Sequence, residues 1–376
     1  MGFIKGNVFP VRRAIERLRA GLFDPLAVDR LTLEEESIMK PFAQGLKALG
    51  KGQSTHLCLC GSYGQGKSHN LTYLQRQSLS QGYATSLLQL DIREVPFHQC
   101  SILYQMFLKN LSLPDGELFV NQWRKRSSVA EIPDAMPHRF RMILQAMISK
   151  DKLSSKKTKN GLKPKDFDHW LEKALAGHEL PLTSLKQILQ TRGVEGYRKQ
   201  SLVCRGNAPY IQMVQSFGEL LHTMGYKGLV LFFDEAESIA QVRLSARTKS
   251  YEILHQFFHQ SGFVYPVFAF TESFFDRVRS EEYGGETHQF SQNYAESWQN
   301  LHIVRLQDST ADRLEFLQDR LIHLYEEAYQ IDFSSNHLEI KQQMKALLIK
   351  LTSQEIRFKL KALINQLDII SLRTAS

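Results

Sequence analysis

Residues 61–68 read Gly-Ser-Tyr-Gly-Gln-Gly-Lys-Ser, a complete G-x-x-x-x-G-K-[ST] pattern of the kind that cradles phosphates. The short apolar run at 56–60 reads as a strand feeding this turn, and residues 68–76 read as a helix leaving it. Backbone N–H groups and the positive helix N-terminus then converge on one place where an anion can sit. Gly61, Gly64 and Gly66 permit backbone angles and close approaches that a Cβ would block. Lys67 would reach β- and γ-phosphates, and the Ser68 hydroxyl would ligate Mg²⁺. A glycine-bearing turn can match by chance, so the rest of the chain has to supply context.

That context is the run Gly-Leu-Val-Leu-Phe-Phe-Asp-Glu-Ala-Glu at 228–237. Five consecutive large apolar residues read as a strand buried on both faces, as in a parallel sheet. The run stops at two carboxylates on its C-terminal edge, which is where open α/β sheets bind ligands. Asp234 would hold Mg²⁺ directly or through water, and Glu235 would orient and polarise the water that attacks a γ-phosphate.

Both motifs need a sheet to hold them. Residues 84–90 and 264–270 read as further strands, 301–306 as a fifth, and residues 97–111 as a helix, an alternation that predicts a three-layer α/β fold. The gap between Lys67 and Asp234 far exceeds one additional βα unit, which places a mainly helical insertion at 112–205. Helices are expected in it at 139–148 and 167–176. Within the insertion, residues 149–165 carry Lys150, Lys152, Lys156, Lys157, Lys159, Lys163 and Lys165 against Asp151 alone. This is either a solvated loop or a sequence-independent contact for a nucleic-acid phosphate backbone.

Ahead of the core, residues 11–20 predict a helix with Val11, Ala14, Ile15 and Leu18 on one face and Arg12, Arg13, Arg17 and Arg19 on the other. The arginine face is either solvated, close to nucleotide, or an interface. Thr32 and Glu35 have capping-box spacing for a helix running to Leu49, which Pro41 is expected to divide. After residue 308 the chain reads as wholly helical, beginning with a Ser309-Thr310 cap and continuing through 338–351 and 354–369. These boundaries divide the chain into an N-terminal helical segment (1–50), an α/β core (51–111 and 206–307), the insertion (112–205) and a helical lid (308–376).

Composition constrains the class. A chain of 376 residues with 43% hydrophobic and 23% charged residues is an ordinary globular protein of two or three units. No uncharged apolar stretch approaches membrane-spanning length, and the first residues lack the layout of a signal peptide, so a cytoplasmic protein is expected. Cys58, Cys60, Cys100 and Cys204 read as buried thiols rather than zinc ligands. A net charge of +8 suits an acidic partner without identifying one.

The glycine loop, the long gap, the Asp-Glu strand end, a polar residue ending the next strand and the helical lid together resemble the AAA+ ATPases, especially initiator-like and STAND-like relatives. More closely, residues 14–21 (Ala-Ile-Glu-Arg-Leu-Arg-Ala-Gly), 61–69 ending in His69, and 233–237 (Phe-Asp-Glu-Ala-Glu) are similar to the ATP-binding proteins of BREX-type phage-defence systems. The resemblance implies that residues Gly61, Ser62, Tyr63, Gly64, Gln65, Gly66, Lys67, Ser68 and His69 bind ATP, and that Ser68 and Asp234 hold Mg²⁺. It puts Thr271 at a sensor position beside Glu235 and Arg357 at a lid position facing the γ-phosphate. It also implies an arginine from a neighbouring subunit, for which Arg243, Arg247, Arg277 and Arg279 are candidates.

The expectation is therefore an ATPase that couples its nucleotide state to rearrangement of a homo-oligomer or of partner proteins in a DNA-associated defence complex. A nucleotide-gated scaffold with little turnover and a DNA-binding module regulated by ATP are the alternatives. The preference for ATP over GTP comes from the resemblance alone.

Overall fold

The computed structural model describes residues 8–22, 24–53, 55–126, 131–149, 163–260, 262–283, 290–307, 311–351 and 355–374. Three helices come first, α1 (Phe9–Arg19), α2 (Pro25–Leu31) and α3 (Glu36–Leu49). Strand β1 (Leu57–Cys60) precedes the glycine loop, then come α4 (Lys67–Ser80), β2 (Ala84–Gln89), α5 (Cys100–Lys109) and β3 (Leu111–Ser112). A helical stretch follows: α6 (Phe119–Arg124), α7 (His138–Ile148), α8 (Phe167–Leu175) and α9 (Leu182–Thr191). Next are α10 (Ala208–Thr223), β4 (Leu229–Asp234), α11 (Ser238–Gln241), α12 (Leu244–His259) and β5 (Val264–Phe270). The chain closes with α13 (Ser273–Tyr283), α14 (Tyr294–Ser297), β6 (Ile303–Arg305), α15 (Ala311–Tyr329), α16 (His337–Lys350) and α17 (Ile356–Thr374).

Strand order is β3-β2-β4-β5-β1-β6. β2, β4 and β5 are parallel, with Gln89 opposite Asp234 and Phe233 opposite Phe268. β3 runs antiparallel to β2, pairing Leu111 with Ser86 and Ser112 with Thr85. β6 extends β1 in the parallel pattern: Cys58 N–H donates to the His302 carbonyl at 2.8 Å and Leu306 N–H to the Cys60 carbonyl at 2.7 Å. The architecture is thus the α/β, mostly parallel sheet of a P-loop NTPase, with a helical stretch between β3 and β4 and helices after β6. Lysines 150, 152, 156, 157 and 159, and the Ser309-Thr310 cap, lie outside the described residues.

Two compact units form. One comprises Met1–Lys40, Leu59–Leu74 and Ile303–Ser376; the other comprises Pro41–Cys58 and Gln75–His302. In the larger unit every side chain of β4 and β5 is buried, as expected of strands covered on both faces. Phe233 stacks on Phe268 with centroids 4.5 Å apart, and the edge of Phe97 meets Phe233 at 5.8 Å. Helix α10 comes so close to the start of β5 that a Cβ on Gly218 would lie 2.5 Å from the Phe263 carbonyl oxygen.

The smaller unit has its own core. Val11, Ala14 and Ile15 of α1 pack with Ala27 and Leu31 of α2, Leu321 and Tyr325 of α15, Met344 of α16 and Leu363 and Leu367 of α17. Three of the α1 arginines, Arg12, Arg13 and Arg17, stay exposed while bonding within the unit. Arg12 Nε donates to the Ala328 carbonyl at 3.3 Å, and Arg13 and Arg17 reach the buried Asp24 carboxylate at 3.2 and 3.7 Å. Arg19 meets Asp368 at 2.8 Å. Asp24 also caps α2, its Oδ1 accepting from Leu26 N–H at 3.0 Å. The arginine face is thus solvated and also tied to α2, α15 and α17 of the same unit.

Two local expectations need correction. Thr32 does not cap α3, because its hydroxyl is spent on the Val28 carbonyl at the end of α2, at 2.6 Å, and α3 begins only at Glu36. Pro41 lies inside an unbroken α3. It removes one ladder hydrogen bond near the helix start, a loss that the apolar face anchored by Ile38, Phe42, Leu46 and Leu49, all buried, offsets.

Two outcomes are expected. Gly218→Ala should destabilise the fold by about 1–3 kcal/mol through overpacking against a backbone atom, read as a lowered denaturation midpoint. At the foot of β1, the His56 ring stacks on His302 at 5.1 Å; burial, then the neighbouring His302, lowers its pKa from 6.5 to about 4. Between those values the unfolded chain binds the proton and the folded one does not, so stability should rise with pH across this window. Replacing His56 with Gln should flatten that part of the pH–stability curve, by about 3 kcal/mol.

Candidate nucleotide-binding site

The glycine loop belongs to the smaller unit. Gly64 and Gly66 have φ of 81° and 91°, conformations that side-chain-bearing residues rarely adopt. The loop is tied by its own side chains. Lys67 is buried, and its Nζ donates to the Gly61 carbonyl at 2.9 Å and the Ser62 carbonyl at 3.1 Å. Ser62 N–H donates to Gln65 Oε1 at 2.6 Å. A Cβ on Gly61 would come within 2.7 Å of that same oxygen, which would have to move aside. Helix α4 starts at Lys67 with no acidic residue in its first turn, so within the helix nothing offsets the positive charge of the terminal N–H groups and the ammonium.

The first turn of α4 is braced from outside the loop. His69 Nε2 lies 2.6 Å from Thr32 Oγ1. Because Thr32 gives its own proton to Val28, His69 is the donor and carries its proton on Nε2. Burial, then the nearby Arg313, lowers the His69 pKa to about 4, so the ring is neutral at physiological pH. Asn70 Nδ2 donates to the Gly66 carbonyl at 3.1 Å, and Thr72 Oγ1 to the Ser68 carbonyl at 2.9 Å. Tyr63 at the loop tip is exposed and Ser68 is half-buried.

The start of α17 sits at the same loop. A Cβ on Gly64 would lie 2.8 Å from Glu355 Cγ and 3.3 Å from Glu355 Cα. The exposed Arg357 is two residues further on, in the first turn of that helix. The structure therefore brings the segment holding Arg357 to the glycine loop, through a contact with Glu355 that only the fold reveals.

The carboxylate pair belongs to the larger unit. Asp234 is buried at the end of β4, flanked by β2 and β5. Its Oδ1 accepts from Glu235 N–H at 3.0 Å. Glu235 has φ of 55°, a left-handed conformation uncommon for a residue other than Gly, Asn or Asp. The bonds Ala236 N–H to the Ala269 carbonyl and Ser238 N–H to the Glu235 carbonyl, both 3.0 Å, hold it there. Backbone conformations of this kind cost energy and persist where the surroundings impose them, often at functional sites.

Thr271 follows β5 directly, at the same sheet edge as Asp234. Its Oγ1 is 3.2 Å from Ser273 Oγ and its carbonyl accepts from Phe274 N–H at 3.1 Å, so it also opens α13. Among the arginine candidates, Arg247 is buried and paired at 3.2 Å with the equally buried Glu281, an internal role that removes it from consideration as a group offered to a neighbour. Arg277 shares Glu281 at 3.2 Å and Arg279 pairs with Asp276. Arg243 is exposed. Glu281, which also accepts from Tyr251 Oη at 3.0 Å, had no recognisable signal in the sequence.

Among the described residues, no group of three or more His, Cys, Asp or Glu side chains is arranged to hold a metal ion.

Residues 10–122 and 204–375 match the family described as BREX system ATP-binding protein BrxC/D. The chain belongs to this family. The match spans the glycine loop, Asp234, Glu235, Thr271 and Arg357 and skips residues 123–203. BrxC/D proteins are ATP-binding components of a phage-defence system, and this chain shares that P-loop ATPase character. Among solved structures, the Walker-type ATPase PABY2304 of Pyrococcus abyssi aligns with 92% of this chain and 77% of its own, at 14% identity and a TM-score of 0.35. No curated protein matches. No described helix is long and apolar enough to cross a membrane.

Gly64→Ala combines a positive φ with the clash at Glu355, so nucleotide affinity should fall by about tenfold or more. Adding Glu355→Ala should recover part of the loss, because only the steric component is relieved. Calorimetric titration of the two variants with ADP checks this.

Proposed function

We propose that this BrxC/D family member binds Mg-ATP on the 61–69 loop and hydrolyses it, using the carboxylates at the end of β4. The observation that carries this reading is the loop itself. Lys67, tied to Gly61 and Ser62, stands at the head of a helix with no acid in its first turn, with positive-φ glycines on either side of Gln65. Such a cradle suits a phosphate chain.

In this reading the N–H groups at the start of α4 and the Lys67 ammonium bind the β- and γ-phosphates. Ser68 Oγ and Asp234 would hold Mg²⁺, which when bound neutralises charge across those phosphates. Glu235 orients the attacking water and accepts its proton. Its left-handed backbone directs the side chain away from the path a continuing strand would follow. Thr271 assists in placing that water, and Arg357 contacts the γ-phosphate from the first turn of α17, next to the loop that Glu355 touches.

The nucleotide state is then passed to a homo-oligomer or to other proteins of the defence system, in association with DNA. The helical stretch 112–205 is an insertion in the ATPase core, with residues 308–376 as its lid. The lysine-bearing segment proposed as a phosphate-backbone contact lies mostly outside the described residues.

Lys67→Ala should abolish ATP binding. Glu235→Gln should keep affinity within about threefold while lowering turnover by about 10² or more. Multiple-turnover phosphate release, with and without duplex DNA, measures both. Wild-type turnover by Glu235→Gln would discard the assigned base, and binding without measurable release by the wild-type protein would make it a nucleotide-gated scaffold.

A further inference from the structure

Between α2 and α3, residues 32–35 form neither helix nor strand, and three of their four side chains leave the segment for other elements of the smaller unit. Thr32 Oγ1 accepts from His69 Nε2 at 2.6 Å. Glu34 Oε1 accepts from Tyr73 Oη. Glu35 Oε1 pairs with Arg313 Nη2 at 2.5 Å. His69 and Tyr73 are four residues apart on α4 and so share one face of it. Arg313 lies in the first turn of α15, the first helix after β6.

The ends of the segment are also fixed. Thr32 N–H donates to the Val28 carbonyl at 3.1 Å, and the Glu35 carbonyl accepts from Ile38 and Met39 N–H at 2.9 and 2.8 Å. A four-residue stretch anchored at both ends has little slack. A shift of α15 that carries Glu35 with it must therefore act on Thr32 and Glu34, and through them on α4.

We infer that residues 32–35 are a strap that couples α15 to the first turn of α4, making Thr32, His69, Glu35 and Arg313 positioning residues for nucleotide binding. The inference rests on the reading of the glycine loop as the ATP site. The strap acts on that site indirectly: His69 is two residues beyond Lys67, so its bond to Thr32 sets where the N–H groups of Lys67, Ser68 and His69 point. The same groups are the ones a bound phosphate would use. Binding there and movement of α15 are thereby linked in both directions, as any coupling free energy must be.

The test uses the full chain with Thr32→Val, Thr32→Ser, Arg313→Ala and the Thr32→Val/Arg313→Ala double variant. Calorimetric titration with ATP and Mg²⁺ should show Thr32→Val weakened about five- to tenfold, as expected when a buried N–H loses its acceptor, and Thr32→Ser close to wild type. Arg313→Ala should weaken binding too, and the double variant should lose less than the product of the single losses, because either change cuts the same strap. Wild-type affinity in Thr32→Val, or losses that simply multiply, would overturn the inference.

A second measurement needs no nucleotide. Hydrogen exchange of the α4 first-turn amides in the ligand-free protein should speed up in Arg313→Ala, and unchanged exchange there would also overturn the strap. Should the wild-type protein fail to bind ATP, the ATPase reading falls while exchange still decides whether the strap exists.

Discussion

A strand buried on both faces can carry a charge only at its end, and this constraint organises the larger unit. β4 places five apolar side chains in the sheet before Asp234, and hydrogen bonding to β2 and β5 in fixed register leaves no freedom for the carboxylate to slide. Shifting the register by one residue would turn each side chain of β4 to the opposite face. Glu235 then departs from the strand path through a left-handed backbone held by a carbonyl of β5. The packing of Phe233 on Phe268 thus bears on the placement of Glu235, because it keeps β5 where that carbonyl is needed.

The smaller unit solves a different problem, which is to hold a glycine-rich turn in shape. Glycines free the turn, and the side chains of Lys67 and Gln65 confine it again. The helix leaving the turn is held from the N-terminal side by Thr32 and Glu34. Farther out, α1 is joined to α2 and α17 through Asp24 and Asp368. Each of these carboxylates receives guanidinium donors with hydrogen-bond geometry, which gives them more specificity than scattered surface pairs would have.

Much of this was legible in the sequence. The glycine loop, β4 and β5 follow from spacing and uninterrupted hydrophobicity, and β5 occupies the expected residues 264–270. The apolar face of α1 was read correctly, since Val11, Ala14 and Ile15 are all buried. The partners of Arg12 and Arg19 were not legible, because Ala328 and Asp368 stand some three hundred residues later and no local pattern names them. β3 was missed for a similar reason: two residues carry no periodicity, and Leu111–Ser112 is a strand only because β2 offers it an edge.

Helix α2 had a readable signal in Asp24-Pro25, an N-cap followed by a proline suited to the first turn. The threonine at position 32 was misread, because a capping-box spacing does not say which of two adjoining helices a hydroxyl will serve. Sequence proximity identified the residues of the glycine loop but not what presses on them. Glu355 against Gly64 is a contact between segments far apart in the chain.

The composition of the smaller unit has a consequence for biosynthesis. It is assembled from Met1–Lys40, Leu59–Leu74 and Ile303–Ser376, so the loop waits for helices that follow it far along the chain. While the intervening residues are being synthesised, Val11, Ala14 and Ile15 have no α15 or α17 to cover them, and the nascent chain exposes an apolar helix face beside four arginines. Such a topology is slow to close and prone to association in the meantime. The surroundings of the glycine loop, Glu355 against Gly64 included, would on this view be complete only after α17 has docked.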